Sequence, residues 1–294
     1  MQSTSRPNTV TGTRLATQAR TFILLAGLTA LLAAIGGMIG GAGGLVAFLA
    51  LGVVFNVAMY WFSDRLALRM SRAQPLAEED DPELFAMTAS LARRAQVPMP
   101  RLYLIPQEQP NAFATGRNPS HAAIAITAGI RRLMPSDQLE GVLAHEFAHI
   151  KNRDILVQSV AATIAGAISG VAHFLSFSFL FGGGDDEDSP LGMIGVIATI
   201  ILAPLAAMLI QLGISRQREY LADATGARIL GSPDPLADAL ESLERGAEAI
   251  PMEVNPAAEP LYIVNPLRGG GMAGLFATHP PIQERVRRLR LLRV

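Results

Sequence analysis

Two histidines and a glutamate stand at a spacing that suits metal chemistry. In the apolar run Val142-Leu143-Ala144-His145-Glu146-Phe147-Ala148-His149-Ile150 the histidines are four residues apart, and Glu146 follows the first directly. Residues four apart share one face of a helix, so both imidazoles can reach a single ion. Glu146 can then project toward a water in the metal's open position, the arrangement of metal-assisted hydrolysis. The pattern also arises by chance, and the plain alternative is a helix with two surface histidines. Its neighbours oppose that alternative. Val142, Leu143, Ala144, Phe147, Ala148 and Ile150 imply a buried helix, and buried charge needs a partner or a metal.

The available ligand chemistry is narrow. The chain of 294 residues contains no cysteine, which excludes disulfides, thiol nucleophiles and thiolate-held metals. Any metal must therefore be held by histidine and carboxylate. Half the residues are hydrophobic, mean hydropathy is +0.32, and only 17% are charged, against about a quarter in an ordinary soluble protein. A net charge of −1 gives no reason to expect a nucleic-acid partner.

Four apolar segments carry this hydropathy: residues 22–39, 45–62, 155–181 and 191–212. The first two lack charged residues and approach the roughly 20 residues that span a bilayer as a helix. Gly36-Gly37 and Gly40-Gly41 fall where a tight hairpin would join them, and Tyr60 and Trp61 suit an interfacial anchor. Arg14 and Arg20 give the first segment the look of a signal peptide. No small-residue cleavage site with a polar start follows it, so an uncleaved anchor is expected. The third segment contains Gln158 and His173, and the fourth contains Pro204, which should kink it. These two either span or lie as a helical hairpin against the polar domain; their lengths favour spanning. Arg6, Arg14 and Arg20 precede the first segment, and Arg65, Arg69 and Arg72 follow the second. Lys151 and Arg153 precede the third, and Arg216 and Arg218 follow the fourth, while the connecting loops are uncharged or acidic. Positive flanks stay cytoplasmic, so both termini and the histidine motif should face the cytoplasm, in a bacterium from the inner membrane.

The expected organisation is an N-terminal segment 1–21, a membrane hairpin 22–62, a polar part 63–154, a second hairpin 155–214 and a polar part 215–294. The two polar parts form one split domain, mainly α with a small sheet (α+β). The first holds a helix near 83–96, strands at 102–105 and 121–127, and a helix over 137–154 begun by Ser136-Asp137-Gln138 after Pro135. The second holds helices at 218–227 and 234–245, a Pro- and Gly-rich loop over 249–273 and a basic terminal helix. Arg285, Arg287, Arg288 and Arg290 read as a solvated face or a contact for anionic lipid. Glu78-Glu79-Asp80-Asp81 reads as a solvated lead into the first helix.

The second polar part returns to the motif's side of the membrane and begins Ser215-Arg216-Gln217-Arg218-Glu219-Tyr220-Leu221-Ala222-Asp223. A catalytic zinc usually takes three protein ligands, and two histidines with a glutamate are a common set. Glu219 is the candidate third ligand. Asp223, one turn on, could accept a hydrogen bond from the outer nitrogen of His145. Alone, this stretch reads as an exposed helix face pairing with Arg216, Arg218 or Arg228; beside the histidine motif, ligation is the better reading.

Three stretches then carry a family resemblance. His145-Glu146-Phe147-Ala148-His149-Ile150-Lys151-Asn152-Arg153-Asp154, Arg218-Glu219-Tyr220-Leu221-Ala222-Asp223 and Thr278-His279-Pro280-Pro281 resemble the HtpX-type membrane metalloproteases, which belong with the Ste24-like zinc peptidases. They occur in that order, with an apolar hairpin between the first two, and the resemblance covers most of the chain. It implies four transmembrane helices and a gluzincin-like peptidase domain with one Zn2+ per chain, held by His145, His149 and Glu219. The implied substrates are misfolded or membrane polypeptides. By the same resemblance, Pro110-Asn111-Ala112-Phe113-Ala114-Thr115-Gly116 matches the segment leading into a substrate-lining edge strand. Asn111 and His279 would then stand near the reacting carbonyl.

On that reading Glu146 takes a proton from metal-activated water and passes it to the leaving amine. A substrate strand would pair with an edge formed by residues 123–127. Taken singly, His279 is a turn histidine before a helix, Asn111 holds a turn after Pro110, and His121 is an exposed loop residue. His173 faces a helical bundle or sits neutral near the interface, and Asp154 either supports the site or joins Lys151 and Arg153 in a charge cluster. The rivals are a four-span transporter or channel, a catalytically silent membrane scaffold, and a Ste24-like processing peptidase for lipidated C-termini. Ligands on the membrane flanks oppose the transporter. Glu146 beside the open position opposes the scaffold, and four spans rather than a larger cage oppose the processing enzyme.

Overall fold

The computed structural model describes residues 9–162, 216–250, 252, 261–264 and 280–294. Helix α1 (Thr9–Met70) is interrupted at Gly40 (φ −127°, ψ 18°) and Gly41 (φ 57°, ψ −142°). The second of these conformations is open only to glycine, and the chain reverses there. The two arms then meet side by side. Asn56 Nδ2 donates to Thr29 Oγ1 at 2.6 Å, and Gly36 lies against Gly44 and Phe48. Small residues permit this approach where lipid supplies no hydrophobic drive between helices. The second arm runs on to Met70 instead of ending at 62. Gly40–Met70 is the one helix among the described residues that is long and apolar enough to cross a membrane, and only 11% of its apolar window is buried. Val46, Leu51, Val54, Val57 and Trp61 point outward from it, as they would if its solvent were lipid. Residues 155–162 are helical; the rest of the third segment and the whole fourth, with His173 and Pro204, lie outside the described residues.

The sheet comprises β1 (Gln74–Pro75), β2 (Arg101–Ile105), β3 (Ala112–Gly116) and β4 (Ala122–Thr127), in the order β1-β2-β4-β3. Strands β2 and β4 are parallel, and the other pairings are antiparallel. The edge near the histidine motif is therefore β3, and not residues 123–127 as expected. Strand β4 is hydrogen-bonded on both sides, because β3 folds back outside it through a short 3-10 turn at Pro119–His121.

Strand β4 is buried on both faces, which explains its alternation of small and large residues. Ala123 and Ala125 face Phe113, Ile105, Tyr262 and the end of α1 at Ala67 and Leu68. Ile124 and Ile126 face the helices. Side chains alternate across a strand, so the alanines admit the end of α1 while the isoleucines fill the helical side.

Those helices are α2 (Pro82–Ala95), α3 (Ala128–Leu133), α4 (Ser136–Asn152), α5 (Arg216–Leu230), α6 (Asp234–Ala249) and α7 (Ile282–Arg290). Asp81 caps α2 by accepting from Leu84 N and pairs with Arg131 at 2.6 Å, so it is not merely a solvated lead. Helix α4 lies centrally, packed against α2, α5, α6 and β3. Leu139, Val142, Leu143, Phe147 and Ile150 are each at most 1% exposed, and burying such a side chain contributes about 1.5–3 kcal/mol. Helix α5 approaches α4 most closely at Gly226, where a Cβ would stand 3.1 Å from His145 N and 3.2 Å from Ala144 O. A valine there has no space. Gly226→Val is expected to destabilise the fold by about 1–3 kcal/mol, read as a lower thermal midpoint in detergent; an unchanged midpoint would contradict this helix contact.

Candidate metal centre

The apolar faces that bury α4 carry His145, Glu146 and His149 into the interior with it. His145 Nε2 and His149 Nε2 stand 3.1 Å apart. Glu219, in the first turn of α5, places Oε2 3.6 Å from His145 Nε2 and Oε1 3.6 Å from His149 Nε2. All three residues are buried, and one ligand atom from each lies within 4.8 Å of the others. Glu219 and Asp223 thus lie on an interior face of α5, as the ligand reading expects, and not on an exposed one.

Both outer nitrogens meet carboxylates. Asp223 Oδ1 lies 3.0 Å from His145 Nδ1, and Asp154 Oδ2 lies 3.4 Å from His149 Nδ1. Asp154 reaches that position because Arg153 ends α4 in a left-handed conformation (φ 63°), and Asp154 N then donates to His149 O at 3.0 Å. With the Nδ1 protons directed at these acceptors, both Nε2 lone pairs converge on each other and on the Glu219 carboxylate. Two lone pairs cannot bond one another, so the cluster calls for a cation, and its donor set fits a divalent metal.

Without a metal, a proton takes that place. Burial and the nearby Arg285 charge press the His145 pKa down, but the Asp223 and Glu219 carboxylates outweigh them and raise it to about 9. Burial pushes the Glu146 carboxyl upward, opposed by His145 and His149 and by a hydrogen bond from the Ala114 backbone N–H of β3. Burial also opposes charge on Asp223, yet the Arg285 guanidinium and His145 hold its pKa below the usual carboxylate range.

Arg285 is the residue that departs most from expectation. It is fully buried, with 0% exposure, and grips Asp223 with Nε–Oδ2 at 2.9 Å and Nη2–Oδ1 at 2.7 Å. Its neighbours do lie outward: Arg287 and Arg288 pair with Glu284, and Arg290 with Asp234 and Asp238. The signal was available in the spacing. Ile282, Val286 and Leu289 form the inner stripe of α7, and Arg285 falls on the same face.

Asn111 is also buried, with its amide engaged away from the ligands. Its Nδ2 donates to Val264 O at 2.8 Å, and its Oδ1 accepts from Ala112 N at 3.1 Å. His121 ends the 3-10 turn on the surface beside Asn118. His279 lies outside the described residues.

The buried imidazole–carboxylate cluster, with a further carboxylate beside it and a sheet edge alongside, belongs to the class of metal-dependent peptidases. Residues 78–293 match the model of Peptidase family M48. A protease HtpX homolog from Syntrophobacter fumaroxidans is 55% identical over 275 residues, covering 92% of this chain and 98% of the relative. One from Pelotomaculum thermopropionicum is 50% identical over 277 residues, covering 94% and 99%. The crystal structure of S. mikatae Ste24p superposes with a TM-score of 0.51 at 20% identity, over 95% of this chain and 66% of that one, a likeness of fold. The chain belongs to Peptidase family M48 and is a metalloprotease.

The raised His145 pKa has a measurable consequence. Below about pH 9 the metal-free ring holds a proton that an arriving metal must displace. Metal uptake at pH 7 should therefore release a proton, and apparent affinity should rise with pH toward about 9. Titration calorimetry in two buffers of unlike ionisation enthalpy counts the proton; no release at pH 7 would contradict this account.

Proposed function

We propose that this chain is a membrane-anchored zinc endopeptidase that hydrolyses peptide bonds in misfolded or membrane proteins, with one zinc per chain. The observation that carries the reading is the convergence of His145, His149 and Glu219 with Glu146 beside them. Zinc supplies Lewis acidity toward the scissile carbonyl and toward water. The other steps belong to side chains and backbone. Glu146, raised in basicity by burial and aimed by the Ala114 N–H, accepts the proton from the attacking water and delivers it to the leaving amine. Asp223 and Asp154 keep the histidine protons on the outer nitrogens, leaving Nε2 free for the metal.

Substrate recognition follows from β3. Residues 113 and 115 pair inward with β4, so the backbone groups of Ala112, Ala114 and Gly116 point to the other side, where Ile263 N already binds Ala112 O and an incoming strand would meet Ala114 O and Gly116. An extended segment adding there would be held by main-chain bonds that do not select side chains. Such binding suits unfolded polypeptide of varied sequence. Asn111 we assign to holding the start of this edge, and His279 to a place near the reacting carbonyl as an extra donor.

The outward apolar face of Gly40–Met70 supports a bilayer location. The arginine-flanked apolar segments support four spans, with both termini and the site on the cytoplasmic side of a bacterial inner membrane. Glu146→Gln should retain one zinc per chain while casein cleavage falls by about 100- to 10,000-fold. Zinc-loaded Glu146→Gln that cleaves at the wild-type rate would remove Glu146 from the role of base.

A further inference from the structure

We propose that Arg285 is a positioning residue of the metal centre, tying the carboxylate behind His145 to the docking of segment 261–264 on strand β3. The inference rests on the reading that His145, His149 and Glu219 hold the metal.

The guanidinium has four neighbours of three kinds. One edge grips both oxygens of Asp223, at 2.9 and 2.7 Å. Nη1 donates to the backbone carbonyl of Ile263 at 3.2 Å and stands 3.8 Å from Glu219 Oε2. Nη2 lies beside the His145 ring, 3.4 Å from Nδ1 and 3.3 Å from Nε2. A planar fork suits such an arrangement, and the single ammonium of lysine cannot reproduce it. Asp223 Oδ1 serves both Arg285 and His145. Held bidentately from behind, the carboxylate cannot rotate away from the histidine.

The other end of the link is the short segment 261–264. Ile263 N donates to Ala112 O at 3.1 Å on the outer edge of β3. Asn111 brackets Val264, donating from Nδ2 to its carbonyl at 2.8 Å. Tyr262 stands edge-on to Phe113, with ring centroids 5.3 Å apart. All four residues of the segment are buried. Strand β3 also carries the Ala114 N–H that aims Glu146. Arg285 thus joins the two halves of the site: the ligand support on α5, and the strand that holds the base. Such a link makes two events reciprocal, so that metal binding favours docking of segment 261–264 and docking favours metal binding.

The test uses the full chain in detergent. Zinc affinity is measured by competition with a chromophoric chelator, and deuterium exchange is followed at the Ile263 amide. The proteins are wild type, Arg285→Lys, Asp223→Asn, the double variant and His149→Ala. Arg285→Lys should lose about 10- to 100-fold in zinc affinity. The double variant should bind as Asp223→Asn does, because both changes break one pair. Zinc should slow exchange at Ile263 in wild type and leave it unchanged in Arg285→Lys. Zinc affinity within twofold of wild type, additive losses, or undiminished slowing at Ile263 would each overturn the proposal. Should Arg285→Lys melt below the assay temperature, Asp223→Asn alone decides, since it must both weaken zinc binding and uncouple Ile263 from zinc. Wild type without zinc, or His149→Ala binding zinc as wild type does, would bring down the metal assignment and this inference with it. Zinc bound by wild type, lost in His149→Ala and unaffected by Arg285→Lys, would overturn this inference alone.

Discussion

Four carboxylates, those of Glu146, Asp154, Glu219 and Asp223, lie in the protein interior at no more than 3% exposure. Dehydrating an ion costs several kcal/mol even after relaxation, so their arrangement constrains everything around them. Two imidazoles stand among them, and Arg285 enters from the C-terminal helix as a buried cation. The remaining negative charge suits the cluster to a divalent ion. It also explains why a metal-free His145 holds its proton so firmly. The helix ends follow the same need, since the left-handed turn at Arg153 exists where Asp154 must reach back to His149.

A site of this kind works only if its walls are rigid and dry. Helix α4 is enclosed by β3 and three helices, and the glycine at 226 lets α5 bring Glu219 and Asp223 within reach of the histidines. The sheet transmits that order outward. Its far face rests on the end of α1 through Phe113, Ala123 and Ala125. Thr115 on β3 meets Ser159 at 2.6 Å in the helical stretch 155–162. The strand that aims Glu146 is therefore fastened to the apolar helix and to the start of the third apolar stretch. The candidate site and the long apolar helix share one strand.

Much of this was legible in residue spacing. The i, i+4 histidines, the carboxylate pair at Glu219 and Asp223, and the glycine break near residue 40 all express local periodicity, which a sequence displays directly. Strand β3 was not read as an edge. Ala112-Phe113-Ala114-Thr115-Gly116 has little β-branched character, and its place outside β4 depends on a fold-back that no local pattern encodes. Arg285 was misread because four arginines crowd one short helix, and their density hid the single position on the apolar stripe. Asn111 shows the same limit. Its amide is engaged by Val264, more than a hundred residues away in sequence, and such a partner leaves no trace in the neighbouring residues.

On the function proposed above, two imidazoles and one carboxylate form the metal-binding set. X-ray absorption at the zinc edge, on detergent-purified protein loaded with one equivalent, reads that set directly. The account predicts two imidazole shells with nitrogen at about 2.0–2.1 Å, completed by oxygen donors in a four- or five-coordinate site. A spectrum with one imidazole or none, or with six oxygen ligands, would contradict it.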